Sequence, residues 1–241
     1  MYSTALYEQY PESFMTFHVF GMYYYLMKKF DVGRKHFNKA IKVNRESLSS
    51  WIMLGHCFAA QEESDQAISV YRSCIRQFPG SHLPHLYIGM EYLRINNLKT
   101  ALLSFKQAKK IAGEDPMVYN EIGCIKKEEK QFAEAKKYFN KALKLCRPGG
   151  ATWLKQILLN NLGNAHRKFR EYRQAIICFE QCLNLSPNDP AVLFSLAFCY
   201  HFSGDLDRAI ALYHKGKNFN FSYLSQTRYK LCKSHVGQLS F

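Results

Sequence analysis

The chain has 241 residues, 47% of them apolar and 22% charged, and carries a formal net charge of +14. Those values fit a folded chain with a sizeable core and exclude a mostly disordered one, while no apolar run approaches the ~18 residues needed to cross a bilayer. The excess of lysine and arginine points to an acidic or polyanionic partner, and its distribution decides between them. The opening MYSTALYEQYPES has neither a basic head nor a continuous apolar stretch, so it does not read as a secretory signal. The chain therefore reads as soluble and intracellular.

In chain order, residues 1–13 match the tail of a helical unit, with Pro11 at its end. Residues 14–47 then carry Gly21, Gly33, Phe37 and Ala40, and 48–81 carry Gly55, Ala67, Tyr71 and Cys74 at the same offsets. The pattern returns over 82–115 (Gly89, Ala101, Phe105, Ala108) and over 116–149 (Gly123, Ala135, Phe139, Ala142). Six extra residues around Gly150 to Lys155 predict a lengthened helix entering the next unit. That unit, 156–189, has Gly163, Ala175, Phe179 and Cys182, and the sixth, 190–223, has Ala197, Ala209, Tyr213 and Gly216. Residues 224–241, rich in Tyr, Leu, Lys and Arg, read as a capping end helix.

Four columns thus repeat with steps of 34, 34, 34, 40 and 34 residues, which marks a repeat architecture. The first small residue lies mid-way along one helix, and the small–aromatic–small set falls on one face of a second. Small residues let the two antiparallel helices approach closely, with the aromatic filling the gap between consecutive pairs. Prolines gather at unit boundaries, and Asp189-Pro190 and Ser81…Pro84 read as helix starts with a cap and an early proline.

The 34-residue unit resembles the tetratricopeptide repeat (TPR). The resemblance implies an all-α, right-handed α-solenoid of about six stacked hairpins, with a concave groove lined by the first helix of each. Candidate groove residues by position are Met15, His18, Met22, Ile52, His56, Leu83, Leu86, Met90, Asn120, Cys124, Lys127, Ile157, Asn160, Asn164, Arg167, Phe194, Phe198 and His201. Amides and Arg167 suit the backbone and carboxylates of an extended peptide, and apolar pockets suit its side chains. Eight cysteines without a CxxC pair, and a lone His82/His85 HxxH, predict reduced structural thiols, no metal and no cofactor.

Residues between the columns narrow the resemblance. Gly55-His56-Cys57-Phe58-Ala59, the run from His82 to Tyr92, Glu114-Asp115-Pro116, and Leu158 to Gly163 followed by Arg167-Lys168 are similar to the cell-division-cycle-sixteen type of TPR subunit of the anaphase-promoting complex (cyclosome). The resemblance runs from about Tyr10 to Tyr213. It implies a non-catalytic scaffold in a nuclear and cytoplasmic ubiquitin ligase, next to other TPR subunits. Its groove would hold the N-terminal segment of a very small cell-division-cycle-twenty-six-type subunit, with Met90, Asn120, Asn160, Asn164 and Arg167 at contact positions. The family's homodimer interface lies in N-terminal repeats that these residues do not include, so the resemblance carries no expectation of a homodimer.

Other classes fit less well. No GxSxG, HExxH, Walker-type or dinucleotide motif occurs, and Glu128 and Glu129 beside Lys126, Lys127 and Lys130 read as a solvated helix end. A co-chaperone clamp needs Lys, Asn and Arg over three successive units, where His18, Met22, Ile52, His56, Leu86 and Met90 stand instead. The basic excess is spread along the chain and peaks between Lys126 and Arg147, largely on a second helix; that favours acidic protein neighbours over nucleic acid or membrane.

Overall fold

Twelve α-helices account for the regular structure of residues 12–147 and 149–217, the part that the computed structural model describes. They are α1 (Phe14–Leu26), α2 (Phe30–Val43), α3 (Leu48–Ala60), α4 (Ser64–Gln77), α5 (Leu83–Arg94) and α6 (Leu98–Ala112). Then follow α7 (Pro116–Glu128), α8 (Phe132–Leu145), α9 (Thr152–Lys168), α10 (Tyr172–Leu185), α11 (Pro190–Ser203) and α12 (Leu206–Lys217). Contacts divide the chain after Glu114 into two units of three hairpins each. Within each unit the second helix of a hairpin packs on the first helix of the next, as α2 does on α3 and α8 on α9. The expected unit tail at 1–13 (apart from Glu12 and Ser13) and the capping helix at 224–241 lie outside the described residues.

Local chemistry sets the helix ends. Ser13, Ser47, Asp115 and Asp189 each accept a backbone N–H of the following first turn, the shortest being Met117 N to Asp115 Oδ1 at 2.7 Å; Pro190 follows Asp189 as expected, and Pro116 follows Asp115 in the same way. Ser81 does not cap: α5 starts after His82, whose side chain makes no capping bond, so only the early Pro84 of that reading holds. The inserted residues do lengthen α9, which has 17 residues against 12 to 14 in the other first helices.

Inside every hairpin the corner is the same. Lys28, Glu62, Asn96, Lys130, Arg170 and Gly204 adopt φ between 59° and 92°, and the next residue's N–H returns to the carbonyl five back, from Lys29 to Tyr24 through Asp205 to Tyr200, at 2.8–3.0 Å. This is a Schellman closure with a left-handed residue, usually glycine, just past the helix end; here five of the six are not glycine.

The core explains the columns. Phe37, Tyr71, Phe105, Phe139 and Phe179 are at most 1% exposed, and each lies flat against the glycine of its own hairpin. A Cβ on Gly21, Gly55, Gly89, Gly123 or Gly163 would fall 2.2–2.8 Å from a ring carbon, too close for any real contact. The aromatic therefore does more than fill the gap between consecutive pairs. In its own hairpin it sets the helix separation, and within a unit it can join the next first helix: Phe37 clusters with Leu54 and Cys57, and Phe139 with Leu162 and Ala165. Ion pairs at equivalent positions, Arg34–Glu63 at 3.2 Å and Lys136–Glu171 at 2.6 Å, join neighbouring hairpins at the surface.

Candidate protein-binding face

In the first unit, the first helices bring mostly apolar side chains to the expected face. Met15 and Met22 are exposed, at 55% and 40%, and Met90 is half-buried. Ile52 is buried and Leu86 wholly so, which leaves Leu86 no surface for a partner. His18 shares a 2.8 Å hydrogen bond with Ser50. His56 is bound inside its own hairpin stack: Nδ1 lies 2.8 Å from the Tyr71 hydroxyl, and the ring meets Tyr87 edge-on at 4.4 Å. Burial lowers its pKa to about 4, so the ring is neutral at physiological pH. Leu86 and His56 thus serve the stack.

The second unit carries a polar row with a definite direction. Asn160, Asn164 and Arg167 stand on one face of α9, three or four residues apart. Arg167 Nη2 donates to Asn164 Oδ1 at 3.0 Å; Asn164 Nδ2 donates to Asn160 Oδ1 at 3.1 Å and to the Asn160 carbonyl at 2.9 Å. Arginine can only donate, so it fixes the orientation of the Asn164 amide, and that amide fixes Asn160. Each side-chain oxygen accepts a bond inside the row, and the Asn160 amide nitrogen donates to none of its members. The Arg167 guanidinium also lies 5.1 Å from the Phe198 ring centre on α11, a cation–π contact that holds its plane.

A second relay begins one residue away. Asn161 Nδ2 donates to Asn120 Oδ1 at 2.9 Å and reaches Cys124 Sγ at 3.6 Å, and Asn120 Nδ2 donates to Glu121 Oε1 at 2.9 Å. This series ends on an acceptor. Burial pushes the Glu121 carboxyl up, opposed by the Asn120 bond and by Lys127. Asn120 is 5% exposed, so it ties α7 to α9 and is not open to a partner. Asn161, absent from the sequence expectations, is the residue that makes this tie. Its signal was the Asn-Asn pair itself, of which only the first member sits at a groove position.

Further along, Phe194 packs on Tyr213 (5.5 Å), while Phe198 and His201 close on Phe202 at 4.5 and 5.3 Å. Phe202 is 55% exposed and Ile157 42%. Trp153, in the lengthened start of α9, is 53% exposed and was not among the expected residues. Lys127 pairs with Glu128 at 3.6 Å and Lys126 with Glu129 at 3.0 Å, as a solvated helix end does. The described cysteines are all free thiols; burial pushes Cys57, Cys74, Cys124 and Cys199 up to about 12, and Cys178 and Cys182 to about 11. Among the described residues, no three His, Cys, Asp or Glu side chains converge as metal ligands, and no helix is long and apolar enough to cross a membrane.

Tetratricopeptide repeat profiles match residues 19–82, 115–188 and 178–211. Anaphase-promoting complex subunit 6 of Arabidopsis thaliana is 41% identical over 200 residues, covering 83% of this chain and 37% of that protein. The crystal structure of the APC/C hetero-tetramer Cut9–Hcn1 superposes with a TM-score of 0.86 at 29% identity, over 95% of this chain and 45% of that one. The chain belongs to the tetratricopeptide-repeat family, CDC16 type. The cell division cycle protein 16 homolog of Homo sapiens is 33% identical to this TPR chain over 218 residues, covering 88% of it and 35% of the human protein. The TPR chain therefore spans about a third of the length of the curated relatives it matches. In TPR terms the two asparagine relays lie on the first helices of the fourth and fifth repeats.

Proposed function

We propose that this chain is a non-catalytic scaffold in an anaphase-promoting-complex type of ubiquitin ligase, acting in cell division in the nucleus and cytoplasm. The inner face of α9 and α11 holds an extended segment of a small partner subunit, and the basic outer helices dock acidic neighbouring subunits. What carries the reading is the directed row from Arg167 through Asn164 to Asn160. It presents donors where an extended segment, unlike a helix, has unbonded backbone carbonyls to accept them. The kinship with CDC16-type subunits, and the partner Hcn1 named with Cut9, supply the class of ligand.

Titration calorimetry with Hcn1 tests the reading. Asn160→Ala with Asn164→Ala removes two hydrogen bonds worth about 0.5–1.5 kcal/mol each, so affinity falls roughly 10- to 100-fold while helicity is unchanged. Equal affinity of the double variant and the parent chain would remove the row from the binding site. Recovery of cullin-type ligase subunits and other TPR subunits with the chain from its own cells checks the scaffold role.

A further inference from the structure

The inner face of α9 extends beyond its polar row. Successive residues of an α-helix turn by ~100°, so Trp153, Ile157, Asn160, Asn164 and Arg167, spaced four, three, four and three apart, form one stripe. Its first two members, at 53% and 42% exposure, place an indole and a branched aliphatic chain one turn apart in solvent. Trp153 exists on this stripe because of the inserted residues: α9 is 17 residues long, and the helices at equivalent places start later in the repeat. Tryptophan joins a large contact area to low conformational entropy, which is why it recurs as an anchor at binding surfaces.

We propose that Trp153 and Ile157 form an apolar anchor for the partner segment, seating one large aliphatic or aromatic side chain next to the carbonyl-reading row. The rise from Trp153 to Asn160 is about 10 Å at ~1.5 Å per residue, or about three residues of an extended segment at ~3.3 Å each. The recognised element is thus an apolar side chain about three residues from the backbone carbonyl that Asn160 engages. The occupant is an extended segment, because a helix on a second copy of this chain has its carbonyls bonded internally and offers Asn160 little. The inference rests on the function proposed above and names the chemistry of its ligand.

The chain has two tryptophans, so Trp51→Phe leaves Trp153 as the sole emitter. On titration with Hcn1, its emission shifts to the blue and its quenching by acrylamide falls at least twofold. Independently of that variant, calorimetry with Trp153→Ala shows affinity for Hcn1 reduced 10- to 100-fold, and Trp153→Phe recovers most of it. Unchanged affinity in Trp153→Ala with unchanged quenching overturns the anchor and leaves the Asn160 row standing. Failure of the unmodified chain to bind Hcn1 overturns both. Protection of Trp153 that grows with protein concentration alone shows self-association and overturns the extended-segment occupant.

Discussion

Gly89→Ala is the sharpest perturbation of the hairpin. The new Cβ would lie 2.4 Å from Phe105 Cε1, 2.7 Å from Cδ1 and 2.8 Å from Cζ, where carbon atoms normally rest ~3.5–4.0 Å apart. The ring must retreat by about 1 Å, yet Phe105 is 0% exposed. Overpacking of this kind costs about 1–3 kcal/mol, while replacing a mid-helix glycine by alanine returns about 1 kcal/mol of helix propensity. A net loss of up to about 2 kcal/mol results, read by urea unfolding followed with circular dichroism. Phe105→Leu alone also destabilises, but combined with Gly89→Ala it restores room, so the double variant exceeds the additive expectation by at least about 1 kcal/mol. Gly80→Ala, with nothing within 4 Å of the added Cβ, is the control and changes stability by less than about 0.5 kcal/mol. If Gly89→Ala stabilises the chain, or the two substitutions simply add, the ring does not set the helix separation.

Other outcomes are as specific. Lys130, at φ 60°, carries the left-handed cost of about 1–2 kcal/mol; Lys130→Gly relieves it, less about 0.4–1 kcal/mol of unfolded-state entropy, and raises the melting temperature, whereas Gly204→Ala lowers it. His56 has a folded-state pKa of about 4 against an ordinary 6.5. Protons therefore favour the unfolded chain, and stability present near neutrality is lost as pH falls from ~6.5 toward ~4, by about 2 kcal/mol between pH ~7 and ~5. A His56→Gln variant loses that slope in melting curves taken across the range. Cys57, Cys74, Cys178, Cys182 and Cys199, buried with raised pKa values, react with a thiol reagent only as fast as the chain opens. Prompt labelling of all five in the native state would contradict their burial.

The six-fold column pattern was legible because one steric demand recurs: Gly21, Gly55, Gly89, Gly123 and Gly163 each face a ring, and spacing alone exposes such a rule. The lengthened α9 was legible for the same reason, as a departure from the spacing. The corners were not. Lys28, Glu62, Lys130 and Arg170 give no local sign of positive φ, and only Gly204 and Asn96 are residues that favour it; the Schellman bonds of the adjoining helix impose the conformation. At the candidate site, the row on α9 could be read from three-and-four spacing. Choosing between Asn160 and Asn161 could not, since adjacent residues differ by ~100° around the axis and only the position of α7 makes Asn161 the bridge. Leu86 and Asn120 occupy groove positions by count, but packing has drawn both inside. Trp153 fell in the insertion and so outside any count of repeat positions, although its four-residue step to Ile157 placed it on the same stripe.

Within a unit, a buried ring can lie against the glycine of its own hairpin and share a core cluster with the first helix of the next, as Phe179 does with Gly163 and with Val192 and Leu196. Coupling along each three-hairpin unit therefore runs from neighbour to neighbour, through such rings together with the ion pairs, amide hydrogen bonds and apolar side chains around them. Removing the Phe179 ring loosens the α9–α10 hairpin and weakens its joint with α11 and α12, which the Arg167–Phe198 contact and the Gln156–Asp189 hydrogen bond still span. Amide exchange then rises in that hairpin and at that joint. A binding face laid across α9 and α11 straddles such a link, so an occupant that grips both helices also clamps the joint between them.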